Sequence, residues 1–194
     1  LDLLTGGHRP IMKWRGSPLW SDVVQRKLIP TVHPAATLHG TYLWRYLIIG
    51  DLEKGKREAE VRDLILPIRS LHIRPTLSDV YHFMHACEDA KRFATDIEVM
   101  NWQVSCLSLA ISPGDAMTIP FYGPAGEHWW DEDDEMTVWT WYARLMANPD
   151  VMKINQNIVG FDAPFLLQQC NILTQGLIGD TMIAQHIVYP EFPK

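Results

Sequence analysis

The stretch Phe93-Ala94-Thr95-Asp96-Ile97-Glu98 places two carboxylates at positions i and i+2 inside an apolar run. On a β-strand side chains alternate faces, so Asp96 and Glu98 share one face and Ile97 takes the other. Two carboxylates this close repel each other unless a cation lies between them. Hard divalent ions such as Mg²⁺ take one or two protein carboxylates together with substrate phosphate oxygens. The pair is therefore either half of a divalent-metal site or the solvated face of an edge strand, and the surrounding elements must decide.

Other groups with chemical potential have plainer readings. The run Asp131–Glu135 is five consecutive acids, but it immediately precedes the periodic apolar residues Val138, Trp141, Leu145 and Met146. Negative charge belongs at a helix N-terminus, so these acids read as the start of that helix. His82 and His85, with Cys87 and Glu88 close by, lie in an amphipathic helix that Thr76 and Asp79 open as cap and acidic partner, ending near Lys91. His33, in His33-Pro34-Ala35-Ala36, taken alone reads as a packed or capping residue rather than a catalytic one.

The elements that position Asp96 and Glu98 follow in order. Arg92–Val99, Val104–Ser112 and Ala116–Tyr122 form an antiparallel meander, with Pro113-Gly114-Asp115 as one turn. After the helix through Val138–Met146, Val151–Asn155 is a strand leading through Gln156–Asp162 into a helix over Ala163–Cys170. A short strand at Leu177-Ile178 then runs through Gly179-Asp180-Thr181 into a helix over Met182–Val188. The order β-β-β-α-β-α-β-α is that of the ribonuclease-H-like fold. If Val151–Asn155 pairs beside Arg92–Val99, Asp162 is carried toward Asp96 and Glu98.

The first part of the chain differs in charge. Residues 1–75 sum to +5 and residues 76–194 to −11, which points to two units with different tasks. Leu1–Leu4 reads as the end of a helix stopped by glycine, Ile11–Gly16 and Leu28–Val32 as short strands, and Tyr42 to about Asp63 as a helix. Leu64–Pro75 is a connector with at most one short strand. A 47% hydrophobic fraction and eight tryptophans are ample for packed cores. Three scattered cysteines without C-x-x-C spacing favour a reducing compartment over a disulfide framework. No apolar run approaches the roughly 20 residues that cross a bilayer.

Three strings in the acidic part, FATDIEVMNWQVSCLSLAISPGDAMTIPF, KINQNIVGFDAPFLL and GLIGDTMIAQHIVYPEFPK, resemble the 3′–5′ proofreading exonuclease domain of family A DNA polymerases. The first carries a D-x-E motif, the second N-x-x-x-F-D, and the third a D-T-M helix with a phage-like tail. The resemblance implies a two-ion Mg²⁺ or Mn²⁺ site in which Asp96 bridges both ions, Glu98 helps hold the first and Asp162 the second. It implies that Asn157 and Phe161 support the site and the terminal nucleotide, although both read equally as turn and packing residues. Asp180, followed by Thr181 and an apolar helix, reads as a helix N-cap, and in the family the fourth ligand belongs to a Tyr-x-x-x-Asp motif further downstream. On that basis the chain is expected to be a piece of a longer protein that binds Mg²⁺ or Mn²⁺ weakly and degrades DNA negligibly by itself.

The basic part, LLTG…IMKWRGS…KLIPTVHPAATLHG…LWRYLIIGDLEKGKREAE, resembles the carboxyl-terminal half of uracil-DNA glycosylases, nearest their iron–sulfur branch. The motif histidine, which stabilises charge on the departing uracil, maps to His33, but the arginine usual near Leu38-His39 is missing here. The resulting expectation is an α/β protein with a partial glycosylase-like unit over 1–63, a linker over 64–75 and a ribonuclease-H-like exonuclease unit over 76–194. It would act on a DNA 3′ end, precede a polymerase domain of the same parent, and work in a bacterial host's cytoplasm if phage-encoded. A free-standing exonuclease on DNA or RNA and a non-catalytic DNA-binding module are the rival readings.

Overall fold

Short helices and one hairpin open the chain, and a single long meander dominates the remainder. The computed structural model describes residues 1–38 and 42–190. It divides into two compact units, Leu1–Leu66, to which Tyr189 and Pro190 are also assigned, and Pro67–Val188.

In the first unit α1 (Asp2–Thr5) ends at Gly6, whose φ of 68° is the left-handed stop expected of glycine. Ile11–Trp14 forms a single helical turn, α2, where the sequence suggested a strand. An isolated extended run leaves its backbone groups unpaired; here Arg15 N closes the turn on Ile11 O instead. Strands β1 (Leu19–Ser21) and β2 (Arg26–Leu28) form an antiparallel hairpin that the sequence did not signal. The strand expected over Leu28–Val32 thus ends at Leu28, just before Pro30, which has no N–H to donate to a ladder. A 3₁₀ turn (Pro34–Leu38) and helix α3 (Trp44–Glu58) follow, the helix ending five residues earlier than its charge pattern suggested.

One buried polar knot joins these pieces. Arg15 Nη1 donates to Asp51 Oδ1 at 2.7 Å, and Thr31 Oγ1 donates to Asp51 Oδ2 at 2.7 Å. Gly16, with φ +69°, donates from its backbone to Pro30 O, and a Cβ there would lie 2.6 Å from Asp51 Oδ1. Arg15-Gly16, Pro30-Thr31 and Asp51, all inside the strings that resemble glycosylases, therefore share one structural job in this fold.

The second unit is built on a six-stranded mixed sheet. Its elements are β3 (Ser70–His72), α4 (Leu77–Asp89), β4 (Arg92–Met100), β5 (Gln103–Ser112), β6 (Asp115–Pro120), α5 (Glu132–Ala147), β7 (Met152–Asn155), α6 (Asp162–Cys170), β8 (Ile178–Asp180) and α7 (Thr181–Val188). The spatial order is β3-β6-β5-β4-β7-β8. β4, β5 and β6 are antiparallel neighbours, while β7 runs parallel to β4 and β8 parallel to β7. This is the ribonuclease-H-like arrangement expected, with the D-x-E strand central. β3, from within the expected connector, adds a parallel edge strand beside β6.

Burial explains why β4 fixes the rest. Phe93, Thr95 and Ile97 are buried while Asp96 and Glu98 are exposed. Val80, Phe83, Val138, Tyr142 and Leu145 of α4 and α5 join Phe93, Ile97, Leu107 and Ile119 of the sheet in one core. Thr95 Oγ1 and Tyr142 Oη satisfy each other at 3.0 Å inside it. The capping box of Thr76 and Asp79 starts α4, and Asp131 caps α5 by accepting from Asp134 N at 2.9 Å. The five acids thus include a cap and the first turn of a helix.

The core also sets thiol reactivity. Burial, with the charges of Glu88 and Asp115, pushes the Cys87 thiol up to about 12. Brief iodoacetamide treatment of the native protein at pH 8 is expected to label the half-buried Cys106 and Cys170 before Cys87, read by peptide mass spectrometry. Cys87 labelling as fast as the other two would contradict the packing of α4.

Candidate active site

The site begins where β7 leaves β4. β7 pairs with Arg92, Phe93 and Ala94 only, so the β4 backbone beyond Ala94 needs other partners on that side. Asp162, at the first turn of α6 and 4% exposed, supplies one: its Oδ1 accepts from Ile97 N at 3.2 Å. A carboxylate from 65 residues downstream is thereby anchored on the backbone of the residue between Asp96 and Glu98. On the other side β5 places Ser108 opposite Asp96 and Cys106 opposite Glu98, with an irregularity in the ladder between Glu98 and Val99. Such irregularities re-aim side chains and recur beside active sites.

The charges interact. Burial raises the Asp162 carboxyl above the ordinary range, the Ile97 amide opposes that, and the negative charge of Asp96 raises it further. Asn155, at the end of β7, also favours the charged form, and its Nδ2 is buried without a hydrogen-bond partner of good geometry. A cation placed by Asp96 and Asp162 would relieve both the repulsion and the desolvation. Among the described residues no three His, Cys, Asp or Glu side chains already stand in metal-holding geometry. Asp162 is a buried carboxylate tied to the strand, Asp96 lies near enough to act on its charge, and Glu98 is exposed two residues further along β4; such hard oxygen donors suit Mg²⁺ or Mn²⁺. An open depression of about 480 Å³ adjoins Asp96, and Ser108, Thr118, Asn155 and Thr181 are among the residues that line it.

The loop that delivers Asp162 is fixed by its own sequence. Asn157 adopts φ 61°, a left-handed value that asparagine tolerates, and its carbonyl accepts from Gly160 N and Phe161 N at 3.0 Å each. A side chain at Gly160 would strike Asn157 Oδ1, 2.4 Å from the Cβ position. Ile158 is fully buried, whereas Phe161 is 44% exposed, its ring 5.7 Å from that of Phe165. Asn157 thus shapes the turn, and Phe161 presents a ring to solvent next to Asp162.

Asp180 is a helix cap. Its Oδ1 accepts from Met182 N, Ile183 N and Asn157 N, and its Oδ2 from Val159 N, all within 3.3 Å. Burial by itself would raise this carboxyl, but the four amides outweigh it and hold it below the ordinary range. Asp180→Ala is expected to cost about 2 kcal/mol, from the lost cap and the amides left unpaired. Asp180→Asn, which keeps an acceptor, should lose less. Because the folded carboxyl is depressed, its contribution is complete above the unfolded carboxylate range and disappears as pH falls through the folded value. The wild-type advantage over Asp180→Asn in urea melts should therefore shrink below about pH 4.

The remaining candidates fall elsewhere. His33 is exposed and follows the irregular stretch after β2, not a strand end; its Nδ1 accepts from Ala35 N at 3.1 Å, capping the 3₁₀ turn. Of the Leu38-His39 position, His39 lies outside the described residues. His82 contacts Ser78 O at 2.7 Å and His85 meets Glu88 at 3.3 Å, both on the solvent side of α4. Asn155 escaped the sequence reading; its signal was a polar residue closing a strand that is otherwise half buried.

No protein-family model and no curated protein matches the chain. Solved structures do resemble it. The Nibbler EXO domain of Aedes aegypti is 15% identical with a TM-score of 0.47, over 65% of this chain and 60% of that one. The EXD2 exonuclease domain soaked in Mg and dGMP is 13% identical with a TM-score of 0.42, over 60% and 59%. Trypanosoma brucei RNase D is 12% identical with a TM-score of 0.45, over 57% and 37%. The chain thus spans less than two thirds of the length of each.

Proposed function

We propose that the second unit is a metal-dependent 3′–5′ exonuclease that hydrolyses the terminal phosphodiester of a nucleic-acid strand. The observation that supports this reading is the Asp162 carboxylate seated on Ile97 N, between the two acids of the D-x-E pair. Asp96, Glu98 and Asp162 would hold the divalent ions. Two Mg²⁺ or Mn²⁺ ions supply an activated water and neutralise the leaving oxygen in such displacements. Asp162 is pre-positioned by the Ile97 amide, so its orientation costs little on loading. Phe161 offers a face for the terminal base, and the depression beside Asp96 offers room for the strand. In the fuller form of this proposal, the parent is a phage-type DNA polymerase that proofreads in a bacterial host's cytoplasm. His33 and the first unit would then be a glycosylase-like DNA-holding module. A free-standing nuclease fits the same site.

The test uses end-labelled single-stranded DNA and RNA of one sequence, with Mn²⁺, Mg²⁺ or chelator. Trimming by this chain is expected to be slow, to start at the 3′ end, and to vanish with chelator and with Asp96→Ala. Trimming that survives Asp96→Ala would refute the assignment.

A further inference from the structure

The turn between β4 and β5 carries an unusual residue. Asn101 and Trp102 both have positive φ, 52° and 63°, the paired left-handed conformation that short hairpin turns normally fill with Asn-Gly. A tryptophan there is strained, and it is 78% exposed, so burial does not repay the strain. Its ring instead borders a groove of about 520 Å³ that also takes in Tyr122, Met136, Trp139 and Phe165. Met136 is 61% exposed, and Trp139 stacks on Phe121 with ring centroids 4.4 Å apart, which holds the groove wall rigid. Glu135, Met136 and Trp139 are shared with a second basin of about 570 Å³ that adds Trp130 and Glu132.

Charge selects the occupant. Among the described residues neither basin is lined by Lys or Arg, and both meet the acidic first turn of α5. His128, on the rim of the second basin, approaches Glu135 at 3.4 Å, while Glu132 has no such neighbour among the described residues. Phosphates would be repelled from this face, whereas a guanidinium gains both aromatic faces and carboxylates. We propose that the Trp102–Trp139 groove docks a peptide segment that sets an arginine or lysine beside an apolar anchor. The strained Trp102 is kept in the turn as a wall of that site.

The probe is a fluorescein-labelled octapeptide of alternating arginine and leucine, read by anisotropy at physiological salt. Controls replace every arginine by glutamate or every leucine by serine, and a labelled single-stranded DNA 12-mer is tested in parallel. The arginine–leucine peptide is expected to bind in the micromolar range, with either control at least about tenfold weaker. Trp102→Gly should weaken binding by about tenfold or more while raising the melting temperature, because glycine relieves the turn. The double variant Glu132→Gln/Glu135→Gln should weaken binding and flatten its salt dependence. Three results would overturn the proposal: no binding of the arginine–leucine peptide below about 100 μM, binding indifferent to Trp102→Gly, or DNA binding that Trp102→Gly removes.

Discussion

Asp51→Ala is expected to unfold the first unit while leaving the second intact. Among the described residues only Val32 and Ile48 are buried hydrophobics of the first unit, so the knot around Asp51 carries an unusual share of its stability. Asp51 is 6% exposed and Arg15 24% exposed on their side chains, so the pair is largely shielded from water. Removing one partner of a buried ion pair costs about 3–5 kcal/mol, because the other charge is left uncompensated. Thr31 would lose its acceptor as well. That loss is comparable to the whole stability of a small unit. Limited trypsin digestion should then cut at Lys13, Arg15, Arg26 and Lys27 while peptides from Pro67–Val188 remain protected. Protection of the first unit in Asp51→Ala would mean that its core, not the knot, holds it.

The second large effect concerns metal. Asp96→Ala and Asp162→Ala are each expected to lower Mn²⁺ affinity and any trimming rate by at least about 100-fold. Losing only an outer-shell partner of a metal ligand already costs about 10–100-fold. The two variants should differ in stability without metal. Asp96→Ala removes a charge that disfavours ionised Asp162, so it should melt no lower than wild type. Asp162→Ala leaves Ile97 N without its partner inside the fold and should melt lower. Isothermal titration with Mn²⁺ and thermal melts in chelator separate the two effects. Equal Mn²⁺ affinity in wild type and both variants would remove Asp96 and Asp162 from any metal site.

Much of the second unit is legible in the residues themselves. Strict alternation around Asp96 and Ile97 fixes which face of β4 is buried, and Thr76-x-x-Asp79 writes a helix start directly. Asp131–Glu135 and Asp180 could be read as helix-terminal acids because apolar periodicity begins just after each. The first unit is harder to read because its elements are one turn or three residues long, too short for any period to establish itself. Its hairpin turns at Gln25, with φ 51°, without the glycine or asparagine that would announce it. Contact between Asp162 and Ile97 depends on where β7 parts from β4, a backbone divergence that no local pattern encodes. Lys153 is similar: fully buried, it donates to the carbonyls of Asn148 and Gln175, and only the folded loop shows why a charge is tolerated there.

The most direct test of the site is paramagnetic broadening of backbone amide signals during a Mn²⁺ titration of the ¹⁵N-labelled chain, with Mg²⁺ as the diamagnetic reference. The expected result is that Asp96, Ile97, Glu98 and Asp162 broaden first, and that Asp96→Ala abolishes their broadening. Broadening centred on the acids at Asp131–Glu135, with Ile97 and Asp162 left sharp, would contradict a metal site on β4.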